Sequence, residues 1–384
     1  MESQIQLPCK ARFRTATRLA YLDTAAEGLP LDESREVLLQ YFADKSSGSP
    51  GRDRMFEAED EAVCAAASLL NTQGRNVTLL SSATEGLNLL ANSICWNRGD
   101  EVLISDLEFP SNVVCWLRLR EQGVHVEVIP SRSGLVELED FTSRIRPQTR
   151  VVSVSQVSYK TGTQFTFLRE LSHQAHLAGA LFVVDATQAL GRVPVSVDGV
   201  DFLVASSYKW LLGLHGLGVV YCAPDLLSRL RLGTAGWYSV RNLFAPDRFE
   251  RFDLKDGAAR LAGGMPNFPS VYVLRASMRF LTQVGVERID AALKPIVRRA
   301  WEGIAALGFN LLTPENVQCA SGIVSFSHEA PEEVARALES AGVIVWAGDG
   351  RVRVSIHLHN DENDVDALLS SLKAVRVVPP RAKL

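Results

Sequence analysis

The sequence predicts an α/β fold: a mostly parallel sheet covered by helices on both faces, followed by a smaller α+β domain. Two observations carry this. Between about residues 60 and 225, short runs rich in Val, Ile and Phe alternate with helix-period stretches. After "RLAGGMPN" (260–267) the pattern becomes one long helical region followed by short strands. Near-continuous apolar strands separated by helices are the mark of a sheet buried on both sides.

Taken in order, "EVLISD" (101–106), "HVEVIP" (125–130), "RVVSVSQVS" (150–158), "LFVVDAT" (181–187), "DFLVASS" (201–207) and "LGVVYCA" (217–223) read as strands. "TEGLNLLANSIC" (84–95) and "FLRELSHQAHLAG" (167–179) read as helices between them. The polar, Gly/Ser-rich "DKSSGSPGRDR" (44–54) reads as a loop near the site or a subunit interface. The second part reads as a helical region from about Ser270 to Leu307, strands "GIVSFS" and "VIVWAG", a strand "RVRVSIHLHN" and a final helix through "ENDVDALLSSLKAV". The expected domains are 15–260, and 261–384 together with 1–14.

The 384 residues are 47% hydrophobic and 22% charged, as in an ordinary globular protein. A net charge of −4 gives no electrostatic case for nucleic acid or membrane as a partner. No apolar run spans a bilayer, and the N-terminus lacks the apolar core of a signal peptide. The six cysteines are scattered, with no CxxC pair and no nearby His at ligand spacing. Reduced thiols in a cytoplasmic protein without a metal are expected.

In such sheets ligands bind beyond the carboxyl ends of the strands, and four strand ends carry unusual residues. "SSATEGLNLL" places Ser82-Ala83-Thr84-Glu85 at a helix start, with capping-box spacing and free N–H groups suited to an anion. Asp185 follows four apolar residues, either capping the next helix or holding a proton on a heteroaromatic nitrogen. Lys209 ends "LVASSYK", either snorkelling from a loop or serving as a Schiff-base lysine. Arg353, between valines, is either a surface strand arginine or a bidentate clamp for a carboxylate. Jointly they supply what pyridoxal 5'-phosphate (PLP) chemistry on amino acids requires.

The segments "YLDTAAEGLP", "SSATEGLNLLANSI", "EFPSNVVCW", "VSYKTGT", "VVDATQALG", "SSYKWLLGLHGLGVVY", "GGMPN" and "RVSIHLHN" occur in an order that resembles the class V aminotransferases. These are fold-type I PLP enzymes, among them cysteine desulfurases, selenocysteine lyases and isopenicillin N epimerase-like proteins. The resemblance covers nearly the whole chain. It implies a large domain with a mostly parallel sheet of the seven-stranded type and a small C-terminal domain. It implies that Lys209 forms the internal aldimine and then moves protons at Cα, that Asp185 pairs with the pyridine nitrogen, and that Phe109 stacks on the ring. Gln188 would contact the phenolic oxygen of the cofactor. Ala83, Thr84, Ser206 and Tyr208 would hold the phosphate. Arg353, with Tyr159 nearby, would hold the substrate carboxylate. Asn267 would lie in a loop reaching across a homodimer interface toward the partner's cofactor, so that active sites are shared.

Three departures from the desulfurases bear on the reaction. Phe109 stands where they usually have a stacking His, so acid–base work would fall to Lys209, Tyr159, Tyr208, His215 or His357. The connection "AGDGR" (347–351) carries no nucleophilic Cys, and Cys319, nearest in sequence, reads as structural. Met265 stands where a phosphate-holding Thr is usual. The implied activity is transamination, epimerisation or cysteine-independent β-elimination including C–S lysis, with desulfuration to an unidentified acceptor as the alternative. A non-catalytic protein that keeps the fold is a remote alternative. The aromatic residues Phe109, Tyr159, Trp237 and Trp346 suggest a side-chain pocket without strong charge. "GLHGLG" (213–218) prompts a dinucleotide-binding reading, but it precedes a strand rather than opening a helix.

Overall fold

The computed structural model describes residue 7, residues 9–316 and residues 320–377. Its strands, in chain order, are β1 (Ala20–Tyr21), β2 (Val77–Leu80), β3 (Glu101–Ser105), β4 (His125–Ile129), β5 (Thr149–Ser155), β6 (Leu181–Asp185) and β7 (Phe202–Ser206). Next come β8 (Gly218–Cys222), β9 (Asn310–Leu311), β10 (Ile323–Ser327), β11 (Val343–Ile344), β12 (Trp346–Gly348) and β13 (Arg351–Ser355). Seven of them form one sheet in the order β2-β8-β7-β6-β5-β3-β4. Only the pairs β2/β8 and β7/β8 are antiparallel; the other four pairs are parallel. The α/β expectation holds.

Alternation along the strands explains why both faces are apolar. Val152, Val154, Phe182, Val184 and Leu203 enter the hydrophobic cluster on one face. Val151, Val183, Phe202, Val204 and Val220 enter the cluster on the other. Leu80, Gly218 and Ser206 are register partners, as are Val204 and Asp185, and Asp185 and Ser155. The polar residues that end these strands therefore converge on one edge of the sheet.

A second sheet, β12-β13-β10-β9, is antiparallel, and β1 pairs with β11. β12 and β13 are joined by the two residues Asp349 and Gly350, both at positive φ (51° and 71°). That is the geometry of a type I′ hairpin, for which Asp-Gly is a favoured pair.

Four expectations need correction. The segment 44–54 is not a loop: one helix, Ser34–Ser46, ends and another, Ser49–Leu69, begins within it. Gly48 supplies the turn at φ 70°. Asp44, polar in sequence, is buried and accepts hydrogen bonds from Tyr272 Oη (2.7 Å), Gln40 Nε2 (3.1 Å) and Arg54 Nε. The long helical region is two helices, Phe268–Val284 and Val286–Ala306, broken at Gly285 with φ 86°. "VIVWAG" divides into β11 and β12. The strand bearing Arg353 ends at Ser355, so His357 and His359 lie beyond it.

Both histidines are fully buried and held neutral by that burial. His357 Nε2 donates to Trp210 O at 3.1 Å, and His359 Nε2 to Tyr21 O at 3.3 Å. Arg192, also fully buried, donates from Nε to Ile356 O and pairs with Asp290 at 3.1 Å. The segment after β13 is thus fastened to the turn that carries Lys209. Among the described residues no helix is long and apolar enough to cross a membrane.

Candidate active site

Lys209 lies in the turn after β7, and the glycines beyond it give that turn its shape. The buried Ser207 hydroxyl donates to Leu217 O at 2.9 Å and also to Leu214 O, cinching the turn. A Cβ on Gly218 would stand 2.7 Å from Ala83 N, so glycine is what lets β8 pack on the helix start at Ala83. "GLHGLG" is therefore a packing device leading into β8, not a nucleotide loop.

The chain's N-terminal segment closes the other side. Gly28 N donates to Tyr208 O at 2.8 Å, and a Cβ on Gly28 would sit 1.9 Å from Lys209 O. Gly28→Ala is expected to push the lysine turn aside and lower kcat/KM by ~100-fold, the cost of an ångström-scale misplacement of a reacting group. Steady-state kinetics with a circular-dichroism check on folding test this; wild-type kinetics would refute it.

Lys209 is 7% exposed and, among the described residues, makes no ion pair. Its amine is 5.1 Å from the Phe109 ring centroid and 5.6 Å from that of Tyr208. Burial, then the Arg353 charge, lowers its pKa to about 8, against the pull of Asp185, Glu27 and Asp23. Asp185, 4% exposed at the end of β6, accepts from Thr187 N at 2.9 Å, and burial raises its pKa.

The helix Ala83–Ser93 begins as its sequence suggests, with one difference. Ser82 Oγ accepts from Glu85 N at 3.0 Å, but the Glu85 carboxylate returns to Ser81 N and Oγ (both 2.6 Å) rather than to Ser82. The N–H groups of Ala83 and Thr84 have no intrahelical acceptor. Thr84 Oγ1 meets Ser111 Oγ at 2.8 Å; Ser206 and Tyr208 line the same cleft, and burial raises the Tyr208 pKa, with the nearby Ser206 hydroxyl partly offsetting the rise. Tyr208 stacks on His215 at 4.2 Å, and His215 faces Glu27 at 3.3 Å.

A cleft of about 130 Å³ joins these groups, and Ala83, Thr84, Phe109, Tyr159, Asp185, Gln188, Ser206, Tyr208 and Lys209 all line it. Phe109 and Tyr159 meet edge to face at 5.0 Å. Gln188 is already engaged, its Oε1 accepting from Trp210 Nε1 (2.6 Å) and its Nε2 donating to Ala25 O (3.0 Å), which leaves one N–H. Arg353 is 3% exposed, donates from Nη1 to Tyr159 O at 3.1 Å and lies 4.9 Å from the Trp346 ring. Burial lowers its pKa to about 10.

Asn267 stands apart. It caps the helix Phe268–Val284 and donates to His215 O at 3.4 Å, outside the cleft residues. Met265 and Trp237 are exposed and also outside it. His357 is walled off as a buried donor to Trp210 O, so its candidacy as an acid or base falls. Cys319 lies outside the described residues. The described cysteines are absent from the cleft; burial raises the thiols of Cys9 (to about 11), Cys115 and Cys222 (both to about 12).

Four further residues were missed in the sequence. Ser111 and Ser155 line the cleft. Glu108, fully enclosed, accepts from Ser105, Asn112 and Ser155 and so fixes the loop that presents Phe109; burial raises its pKa to about 7. Asp23 bridges to Ser355 beside Arg353, its Oδ1 has no hydrogen-bond partner among the described residues, and burial raises its pKa to about 7 against the pull of Arg353. Asp23 ends the apolar "YLD" much as Asp185 ends "FVVD", a signal that was available. Elsewhere, Glu101, His125 and Glu127 stand close enough to suggest a cation, but Arg146 and Arg144 already pair with the carboxylates.

A parallel sheet with a buried lysine, a buried carboxylate and an anion-binding helix start at its carboxyl edge defines a PLP-enzyme class of site. Residues 21–368 match the Aminotransferase class-V family, and the chain belongs to that family of PLP-dependent enzymes. A probable cysteine desulfurase of Methanothermobacter thermautotrophicus is 28% identical over 92% of this chain and 94% of its own. An uncharacterized aminotransferase of Bacillus subtilis is 26% identical over 80% and 81%. Among solved structures, an apo cysteine desulfurase from Thermococcus onnurineus superposes with a TM-score of 0.89 at 24% identity, covering 97% of this chain and 99% of that one. The cystine C-S lyase C-DES, in complex with its product cysteine persulfide, gives 0.87 at 20% identity, covering 94% and 99%. At these identities the two structures speak for the fold, which is fold type I.

Proposed function

We propose that the protein acts at the α-carbon of an amino acid, with PLP held in the cleft and Lys209 as its carrier and proton shuttle. The observation that carries this reading is the Lys209 amine: buried, without an ion pair among the described residues, and with its pKa lowered to about 8. The donor set fits the cofactor from end to end. The Ala83 and Thr84 amides with the Thr84, Ser206 and Tyr208 hydroxyls suit a phosphate, and Asp185 suits a ring nitrogen. When bound, the cofactor supplies a ring that accepts electron density from the substrate α-carbon.

The chain's own residues would do the rest. Asp185 holds a proton on the ring nitrogen, and Phe109 confines the ring from one side. The remaining Gln188 N–H donates toward the phenolic oxygen. Arg353 orients the substrate carboxylate, and the neutral Lys209 amine takes the Cα proton and returns it. Tyr159 and Tyr208 add phenol hydroxyls to the same cleft.

The reaction is transamination, epimerisation, or β-elimination including C–S lysis without a cysteine nucleophile. What favours this over desulfuration is the Asp349–Gly350 turn, which leaves no loop between β12 and β13 to carry a thiol. A second reading, cysteine desulfuration or selenocysteine lysis with an unidentified sulfur acceptor, is favoured by the names of several relatives. PLP-loaded protein mixed with single amino acids and assayed for keto acid, D-isomer, pyruvate and sulfide separates the outcomes. On the first reading, Cys64→Ser, Cys95→Ser and Cys319→Ser leave turnover unchanged. Loss of sulfide release in one of them would select the second.

The same proposal includes the domains 15–260 and 261–384 with 1–14, a cytoplasmic location, and a homodimer in which Asn267 reaches the partner's cofactor. The exposed Phe244 (88%), Phe249 (86%) and Phe252, in the segment before Asn267, support a covered surface there.

A further inference from the structure

β13 carries two arginines, not one, against Tyr159 of the cleft wall, and neither is itself among the residues that line the cleft. Residues 351 and 353 leave the same face of the strand, and across the hairpin they pair with Gly348 and Trp346. Gly348 matters here, because a Cβ on it would stand 3.1 Å from Trp346 Cη2, so its bare backbone lets the indole lie over it. The indole centroid is then 4.9 Å from both guanidinium carbons.

Arg351 also lies 5.2 Å from the ring of Tyr159, which lines the cleft. Arg353 donates to the backbone of the same residue. Both arginines are nearly fully buried, at 1% and 3% exposure, and among the described residues the Nε of each has no hydrogen-bond partner. Two buried cations beside one indole repel each other. The carboxylate that meets Arg351 belongs to Asp349, on the exposed tip of the turn. A single substrate carboxylate on Arg353 leaves the second guanidinium short of a buried counter-charge, a costly arrangement.

We propose, resting on the reading of the site given above, that Arg351 receives a second carboxylate and makes the enzyme selective for dicarboxylic α-amino acids. Arg353 then takes the α-carboxylate and Arg351 the side-chain carboxylate, with Tyr159 and Trp346 as the walls between. This replaces the uncharged side-chain pocket suggested by the aromatic residues alone.

The test is a spectral titration of the PLP-loaded wild-type protein with L-aspartate, L-glutamate, L-asparagine, L-glutamine and L-alanine. One acidic amino acid is expected to bind ~10–100-fold more tightly than its amide, the range of a charged hydrogen-bonded contact. Arg351→Gln is expected to erase that ratio, and Asp349→Asn, which frees Arg351 from its competitor, to increase it. Equal affinity of the wild-type protein for acid and amide overturns the proposal while leaving the site reading intact. A spectrum that no amino acid perturbs overturns both. The wild-type comparison decides the matter even if Arg351→Gln does not fold.

Discussion

Replacing Lys209 with alanine is expected to slow turnover by at least ~10⁴-fold, the upper end of what a positioned proton-transfer group contributes. Borohydride treatment of the PLP-loaded variant should leave no label on the peptide that normally carries residue 209. The lysine also sets a pH dependence. Its pKa is lowered to about 8, chiefly by burial and then by Arg353. The neutral amine therefore grows ~10-fold per pH unit below that value and is flat above it. The rate of covalent PLP attachment to the apoprotein should follow the same curve. The folded value lies below the unfolded 10.5, so the unfolded chain binds more protons between the two. Apoprotein stability should accordingly rise as pH climbs from about 8 toward 10.5. Lys209→Met should remove that rise, seen by chemical denaturation. Full activity or labelling in Lys209→Ala would end the assignment of this residue.

Asp185→Asn is expected to lower kcat by ~10²–10³-fold, as when one preorganised electrostatic contact is removed from an active site. KM should change little, because in the proposed site the carboxylate would face the cofactor rather than the substrate. The asparagine keeps the shape and can still accept from Thr187 N. It also removes a buried charge that the fold tolerates poorly, so apoprotein stability should hold or improve. The pairing of a large kcat loss with unimpaired stability distinguishes an electronic role from a packing role. A variant as fast as the wild type would exclude the electronic one.

Much of this was legible because a doubly covered sheet forces its strands to be apolar, so each polar residue at a strand end stands out. Lys209, Asp185 and the Ser82–Glu85 helix start were visible on that ground alone. Gln188, Phe109 and Tyr208 needed the family resemblance as well. What escaped depends on contacts distant in sequence. Asp44 looks like loop chemistry until Tyr272 arrives from another helix to bury it. The apparent helix from 270 to 307 has a continuous pattern, and only the backbone at Gly285 reveals the break. Asp23 and Arg353 are far apart in the chain and become neighbours through the bridge to Ser355. Arg351 was passed over because it follows the turn residue Gly350 and lacks the paired valines that flank Arg353, and its burial against Tyr159 and Trp346 is a tertiary fact.

The fastening of Ile356 and His357 to Arg192 and Trp210 has a consequence for redesign. Shifting the strand that bears Arg353 relative to the lysine would strand at least two buried hydrogen-bonding groups, at about 1–3 kcal/mol each. The cleft is therefore expected to behave as a fixed gauge rather than a jaw. Attempts to admit a longer or bulkier amino acid should succeed by trimming Tyr159 or Trp346, and fail when they rely on loosening the frame. Saturation libraries at those two positions, scored against libraries at Arg192 and His357, should yield altered preference from the first pair and insoluble protein from the second.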